Sequence, residues 1–168
     1  MLTGAEGNEE FMGIQRIESV TYGVDDLDTC VRFFEDFGLS LVERTGEHAV
    51  FETRTAQTLH LDTAPGPLLP APVEDGPTLR EVVWGVDTRD DLDRLVTAAA
   101  HDHEVRETAD GVQHTVDRSG FGVGLALARP RKVTVAPRRT NTYGSVRRWN
   151  EALTPVSRAH PCACAMSP

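Results

Sequence analysis

The chain has little of what secreted, membrane-spanning or phosphate-binding proteins need. Its 168 residues include three cysteines, at positions 30, 162 and 164, too few for a disulfide framework, so a reducing cytoplasm is the expected location. No stretch approaches about 20 consecutive apolar residues, which excludes a transmembrane helix. Residues 1–12 are acidic and polar, so we expect no secretory signal there. Gly-rich phosphate loops, Walker patterns and Ser-His-Asp sets are also missing.

Charge is unevenly distributed along the chain. The net charge is -9, but residues 1–128 hold nine arginines and 25 acidic residues, net -16, whereas residues 129–168 hold eight basic residues and one acid, Glu151, net +7. The acidic body disfavours nucleic acid as a partner. The basic segment has no dense Lys/Arg run and few aromatic residues to stack on bases. We expect this segment to lie on the acidic body or to connect to another domain.

One segment of ten residues occurs twice. Residues 19–28 read SVTYGVDDLD, and residues 81–93 repeat them as EVVWGVD, three inserted residues and DLD. The matching pairs lie 62 positions apart: Val20 and Val82, Tyr22 and Trp84, Gly23 and Gly85, Val24 and Val86, Asp25 and Asp87. A single repeat of this length indicates two copies of one supersecondary unit, because solenoids have shorter and more numerous repeats. We therefore expect function to lie between the two copies.

The first copy is predicted to be a strand, a helix and three strands. Residues 14–24 alternate in character, which favours a strand with Ser19 on one face and Val20 and Tyr22 on the other. Asp25 or Asp26 is the predicted helix N-cap, and Gly38 the residue that ends the helix. Short strands are predicted at 39–44, 48–52 and 57–62. One apolar helix stripe is expected at Leu27, Cys30, Val31 and Phe34, which makes Cys30 a core residue.

The second copy follows a linker at 65–77, which holds five of the ten prolines. Its predicted strands are 79–86, 105–108, 112–117 and 122–128, and its helix is capped by Asp90 or Asp91. Leu92, Leu95, Val96 and Ala99 repeat the stripe. The predicted fold is α+β: two tandem βαβββ modules, 14–64 and 78–128, pair into one domain, 14–128. A disordered N-terminus, 1–13, and an irregular basic tail or linker, 129–168, flank it. Whether that tail is native or truncated stays open.

This pattern resembles the vicinal oxygen chelate superfamily, which includes glyoxalase I, bleomycin- and fosfomycin-resistance proteins and type I extradiol ring-cleavage dioxygenases. The resemblance covers residues 14–128. It depends on the paired modules, on the GVD and DLD repeat, and on FFEDFGL at residues 33–39, which is similar to the family's usual helix end. DRSG at 117–120 resembles the family's turn before the last strand. The fold expected from the resemblance is one vicinal oxygen chelate domain.

The resemblance also implies a site. In the family, His and Glu on the first and last strands of each module hold a divalent metal in a shared cavity. The corresponding first-strand positions here are Ser19 and Glu81, and the last-strand positions are His60 and Gly124. Only His60 and Glu81 offer good ligands. We therefore expect no metal site and no catalytic residue in this chain, and we name Ser19, His60 and Glu81 as candidates to face the cavity.

Several side chains admit two interpretations. His60 is either a cavity ligand or a polar group on a half-exposed sheet face, and Glu81 is either a buried base or a solvated rim residue. His101 and His103 could form a metal clip, but a solvated helix end is favoured. Cys162 and Cys164 are a weak pair for a soft metal. Two further histidines are predicted to lie on the surface because neither has an acidic partner at ligand spacing: His48 and His114.

The leading functional hypothesis is the N-terminal, non-catalytic part of an extradiol ring-cleavage dioxygenase. By resemblance, the full-length enzyme would use iron(II) to open a catechol-like ring in aromatic catabolism, and this chain would hold no cofactor. One alternative is a metal-free module that sequesters a small aromatic or cationic ligand, as bleomycin-resistance proteins do, with Tyr22 and Trp84 as aromatic contacts. Another is a glyoxalase- or isomerase-like enzyme. We expect a small aromatic molecule as partner, with no nucleic acid and no membrane; homo-oligomerisation stays open.

Overall fold

The structure is a computed structural model that describes residues 13–63 and 69–134. The predicted order of one strand, one helix and three strands, given twice, is confirmed. Within the described residues the elements are β1 (Ile14–Gly23), α1 (Leu27–Phe37), β2 (Ser40–Arg44), β3 (His48–Glu52), β4 (Thr58–Asp62), β5 (Thr78–Val86), α2 (Arg89–Asp102), β6 (Arg106–Glu107), β7 (Gln113–Val116) and β8 (Gly122–Leu127).

The strands form one sheet in the order β2-β3-β4-β1-β5-β8-β7-β6. In each module the first strand pairs in parallel with the last, β1 with β4 and β5 with β8. The two modules join where β1 and β5 pair antiparallel, with Val20 opposite Val82. These two valines are also equivalent in the sequence repeat. The two modules are therefore related by an approximate two-fold axis that passes between β1 and β5, at the centre of the sheet.

Helix α1 covers the first module. Asp26 is its N-cap and accepts the Thr29 N–H at 3.0 Å, and Gly38 ends it in the left-handed conformation, with φ 103°. Both predicted caps are confirmed; a residue with a side chain would be strained at Gly38. The helix buries Leu27 and Val31 against β3 and β4, in a core that includes Phe51 and Leu61. Cys30 packs against this core at intermediate burial, as predicted.

Helix α2 covers the second module with a smaller core of Val86, Leu92 and Leu125. The prediction that Asp90 or Asp91 caps this helix is wrong. Thr88 is the N-cap: its Oγ1 accepts the Asp91 N–H at 3.1 Å and donates to Asp91 Oδ2 at 2.6 Å. Asp91, at the third helical position, thus contacts the Thr88 hydroxyl with both its backbone N–H and its carboxylate. Asp91 therefore takes part in the capping interaction, but Thr88 is the N-cap residue.

One further prediction differs from the structure in extent. The strand expected at 105–108 has only two residues, because the chain turns at Thr108, whose backbone bonds Gly111 and Val112. Residues 69–77 of the predicted linker contain no helix or strand. Residues 1–12, 64–68 and 135–168 lie outside the described residues. The predictions for the N-terminus, the rest of the linker, most of the basic tail and the Cys162/Cys164 pair concern these residues.

The described start of the basic segment returns to the first module. The Arg131 guanidinium donates to both carboxylate oxygens of Glu52, at 2.6 and 3.0 Å, and the Arg131 N–H donates to the Thr55 carbonyl at 3.2 Å. Since Arg131 follows the last strand of the second module, this contact adds a tie between the two halves. Across residues 13–63 and 69–134, the helices lack the length and apolar character that crossing a membrane would require.

Candidate functional site

The sheet face opposite the helices carries the polar side chains. Along β4, Leu59 and Leu61 belong to the core beneath α1, so the alternating residues Thr58, His60 and Asp62 point to the other face. A cavity of about 670 Å³ lies on that face between the modules. Its lining consists of Ser19, Thr21, His48, His60, Asp62, Leu69, Glu81, Val83, Thr108, Ala109, Asp110, Val112 and His114.

Strand register brings the three predicted candidates together. Thr21 pairs with His60 on β4 and with Glu81 on β5, and Ser19 is two residues away on the same face of β1. Ser19, His60 and Glu81 all line the cavity. Glu81 is only 7% exposed, so the solvated-rim interpretation of this residue is wrong. The part that each residue plays in function stays a prediction.

The Glu81 carboxylate is held by a histidine from the other side of the second module. His114 Nδ1 lies 2.7 Å from Glu81 Oε1, and the side chains are 17% and 9% exposed. The bond has the geometry of an N–H donated to a carboxylate. A buried carboxylate needs such a partner, because burial without one costs several kcal/mol by general estimates. His114 therefore satisfies the most buried acidic group in the cavity.

Two glycines allow this contact. His114 on β7 and Glu81 on β5 are separated by β8, where Gly122 lies opposite Glu81 and Gly124 lies opposite His114. A Cβ at Gly122 would lie 2.9 Å from the Glu81 Cβ and 2.6 Å from the Arg80 carbonyl oxygen. Because neither glycine has a side chain, the imidazole can reach across β8. Glycine is unfavourable inside a strand, so its presence at both positions is explained by the room that it leaves for the imidazole.

The other side of the imidazole is tied to the turn between β6 and β7. His114 Nε2 lies 3.2 Å from Thr108 Oγ1, and that hydroxyl donates to Asp110 Oδ1 at 2.5 Å. Hydrogen bonding to Thr108 lowers the pKa of Asp110 below its ordinary range. A continuous hydrogen-bonded chain therefore connects Glu81, on the central strand β5, to a turn that forms one wall of the cavity.

A second imidazole–carboxylate pair lies in the first module. His48 and Asp62 are direct neighbours across β3 and β4, with Nδ1 and Oδ1 2.6 Å apart. Beside them, His60 Nε2 lies 3.0 Å from Thr58 Oγ1. Burial and then the nearby His48 lower the pKa of His60, and the weaker attraction of Asp62, Glu81 and Glu43 opposes this. The neutral imidazole, a hydrogen-bonding group, is thus the favoured form of His60.

We expect His60 to titrate below the ordinary histidine value of 6.5. Protonation is then disfavoured in the folded state, so the contribution of His60 to the free energy of unfolding is lost as pH falls from 6.5 through the folded-state pKa. Replacing His48 with glutamine should raise the His60 pKa, whereas replacing exposed His101 should not change it. Ring-nitrogen NMR titration measures this. A His60 that titrates at 6.5 or above would contradict the expectation.

The four positions implied by the resemblance do not fit a metal centre. Ser19 offers only a hydroxyl, Gly124 offers no side chain, and Glu81 is already bonded to His114. Side-chain space at position 124 is also taken, because a Cβ there would lie 2.7 Å from Val83 Cγ2. In the part of the chain that the structure describes, no three His, Cys, Asp or Glu side chains are grouped to hold one ion. The donor set suits hydrogen bonding better than chelation.

The prediction that His48 and His114 lie on the surface is wrong. Each bonds a carboxylate and lines the cavity, and neither pairing is visible as a spacing in the sequence, because the partners are 14 and 33 residues away. The only sequence signal for His48 was its place opposite Asp62 in a predicted hairpin. For His114, the small residues at 122 and 124 were a signal, but only once strand order was known.

The structure also places the two predicted aromatic contacts and the two histidines at the end of α2. Tyr22 and Trp84 pack against the helix cores on the opposite face, so the expectation that they contact a cavity ligand is wrong. Their strands alternate, and Thr21 and Val83 take the cavity side instead. His101 is exposed in the last turn of α2 and contacts Asp102, and His103 is the C-cap, which agrees with a solvated helix end.

Comparisons with known proteins agree with this architecture. Residues 16–122 match the family model described as "Glyoxalase/Bleomycin resistance protein/Dioxygenase superfamily". No curated protein matches the chain. Among solved structures, an extradiol ring-cleaving dioxygenase from B. fuscum superposes with a TM-score of 0.56 and 16% identity, over 71% of this chain and 34% of that chain.

Two further structures show the same fold. A Mn(II)-bound glyoxalase from Novosphingobium aromaticivorans has a TM-score of 0.52 and 22% identity, over 73% of this chain and 42% of that one. The 2,3-dioxygenase LapB from Pseudomonas sp. KL28 has a TM-score of 0.54 and 14% identity, over 71% and 42%. The chain thus spans well under half the length of these proteins. By the family match over most of its length and by its fold, the chain belongs to the glyoxalase/bleomycin resistance protein/dioxygenase superfamily.

Proposed function

We propose that this chain is the N-terminal, non-catalytic domain of an extradiol-type ring-cleavage dioxygenase. The observation that carries the proposal is the donor set of the cavity, where Ser19 and Gly124 stand at two of the four positions that the family uses for a metal. The limited coverage of the two dioxygenases adds support, since a matching unit forms about a third to two-fifths of those chains. A cytoplasmic role in aromatic catabolism belongs to the same proposal.

In this proposed function, the polar residues of the cavity stabilise the fold and do not take part in a reaction. Glu81 and His114 satisfy one another, and Thr108 links them to the turn beside the opening. Such a bonded set keeps the module interface ordered without any chemistry on a substrate. Ring opening would then depend on iron(II) held by a catalytic domain elsewhere in the full-length enzyme. This chain would contribute packing surface to it.

The test is an assay for ring fission. The purified chain, incubated anaerobically with iron(II) and then exposed to O₂ and catechol, is expected to form no coloured ring-fission product above the buffer rate. A competent extradiol dioxygenase treated identically serves as the positive control, and iron bound per chain is measured in parallel. Steady product formation by the chain, retained after removal of unbound iron, would refute the non-catalytic assignment.

A second function is supported by the shape and charge of the cavity. Asp62, Glu81 and Asp110 place three carboxylates around its wall, the first two bonded to histidines of the same wall, and Val83 and Val112 provide apolar surface. Its lining includes neither lysine nor arginine among the described residues. About 670 Å³ is within the size range of small-molecule sites. We infer that the cavity can sequester a small organic ligand with a cationic group, without a metal.

A further inference from the structure

The outer face of α1 exposes a pair of aromatic rings. Phe33 is 61% exposed and Phe37 is 60% exposed, and their rings stack with centroids 6.4 Å apart and 16° between the planes. Within residues 13–63 and 69–134, these two are the only aromatic residues among the exposed large hydrophobic side chains. Contiguous exposed apolar surface, unlike a single exposed side chain, is typical of a contact site.

The C-terminal end of α1 is acidic. Its last turn contains Glu35 and Asp36 and no basic residue, although the negative end of a helix dipole favours cations. Asp36 is exposed and lies three residues from Phe33, so it borders the aromatic pair. Neither acid forms an ion pair with another described residue. We call the surface of Phe33, Asp36 and Phe37 the α1 patch.

The arginines that contact α1 are directed to its other end. Arg32, the only basic residue of the helix, donates from Nη2 to Thr29 Oγ1 at 3.2 Å. Arg44 on β2 pairs with Asp28 in the first turn. Arg54, in the turn after β3, forms no ion pair with a described residue. The described residues therefore leave the acidic last turn of α1 without an ion-pair partner.

The described start of the basic segment lies near this end of α1. Arg131 contacts Glu52, and Glu52 pairs with Ser40 across β2 and β3. Ser40 follows Phe37, the last residue of α1, by three positions. Phe51 belongs to the core beneath the helix, so the alternating Glu52 points to the cavity face. The segment therefore has to pass the end of the sheet to reach α1.

The chain that follows Arg131 is long enough for this path. Glu52 and Phe37 are separated by one strand spacing, about 5 Å, and by three residues of chain, at most about 11 Å. Arg138 follows Arg131 by seven residues, which span about 23–25 Å when extended. The available length thus exceeds the separation of about 16 Å with room to turn around the sheet end.

The sequence of residues 138–149 complements the patch. It reads RRTNTYGSVRRW, with two arginine pairs, a tyrosine, a tryptophan and no acidic residue. A guanidinium both pairs with a carboxylate and stacks on an aromatic ring, so arginine suits the charged and the aromatic parts of the patch alike. The segment carries the cations that the last turn of α1 lacks.

We propose that residues 138–149 dock on the α1 patch, with arginines against Asp36 and aromatic or guanidinium groups against Phe33 and Phe37. This inference goes beyond both proposed functions, because it concerns the sheet face opposite the cavity. The segment follows the last strand of the second module and covers the helix of the first. Docking therefore adds a second tie between the modules, beside the contact of Arg131 with Glu52.

The test measures backbone amide relaxation of the full chain by NMR. Amides of residues 138–149 are expected to have order parameters above about 0.6, the value below which a backbone is flexible. The combined change Phe33→Ser, Asp36→Asn and Phe37→Ser should lower them below about 0.6. Replacing the four arginines of the segment with glutamine should do the same, and about 1 M salt should weaken docking in the unchanged chain.

A matched control alters the other module. Asp102→Asn with Val116→Ser removes an acid from the last turn of α2 and an exposed apolar side chain from β7, and it should leave the order parameters unchanged. Urea unfolding of each variant shows that the fold is retained. Sedimentation at several protein concentrations distinguishes docking within one chain from contact between copies.

Release of the segment in the patch and arginine variants, but not in the control, in a monomer supports the inference. Order parameters below about 0.6 in the unchanged chain would refute it, as would values that the patch variant leaves unchanged. Order that appears only as the chain dimerises would assign the patch to a second copy and overturn docking within the chain.

Discussion

Replacing Phe51 with alanine is expected to lower the free energy of unfolding by about 3–5 kcal/mol. Phe51 is fully buried on β3, and its ring lies 5.7 Å from that of Phe34 on α1. The removed ring belongs to the larger core, which packs beneath α1. Part of the loss is the transfer of the ring and part is the cavity left behind.

Phe33→Ala provides the matched control. Phe33 is also a phenylalanine of the first module, but it is 61% exposed on α1 and contacts Phe34 and Phe37 only at the surface. We expect Phe33→Ala to lower the free energy of unfolding by less than about 1 kcal/mol, since the substitution removes little buried apolar surface. Urea unfolding followed by circular dichroism measures both. Similar losses for the two variants would contradict the placement of β3 beneath α1.

The second large effect is expected at the Glu81–His114 pair. Glu81→Ala should lower the free energy of unfolding by about 2–4 kcal/mol, because it removes the acceptor for His114 and leaves a hole between β5 and β7. Glu81→Gln should cost less, since an amide oxygen can still accept the Nδ1–H. His114→Ala should be comparably damaging, because it leaves a carboxylate 9% exposed without its partner.

A double-mutant cycle isolates the pair itself. Glu81→Ala combined with His114→Ala should be less damaging than the sum of the single changes, with a coupling energy of about 1–3 kcal/mol. The same cycle on Asp62 and His48, whose side chains are 29% and 28% exposed, should give a smaller coupling because water screens that pair more. Additive effects at Glu81 and His114 would show that their hydrogen bond contributes nothing to stability.

Much of the fold could be predicted because its signals are local. The apolar stripe at Leu27, Val31 and Phe34 marks α1 within a few turns of chain, and the repeat at residues 19–28 shows that the unit occurs twice. Caps were predicted less well. Thr88 and Asp91 bond each other at the start of α2, and the sequence pattern alone does not say which polar residue of residues 88–91 is the N-cap.

The site was predicted only in part. The resemblance named Ser19, His60 and Glu81, and all three line the cavity. It did not name His114 or His48, although each bonds a carboxylate there.

The sequence alone determined which residues form helices and strands, and which side of each strand is apolar, because the periods of 3.6 and 2 are properties of a single segment. Only the tertiary structure decided which polar side chains meet. That choice depends on strand order and register, and one residue of slip would turn every side chain of a strand to the other face. Glu81 meets His114 because β8 lies between them with a glycine opposite each of the two residues.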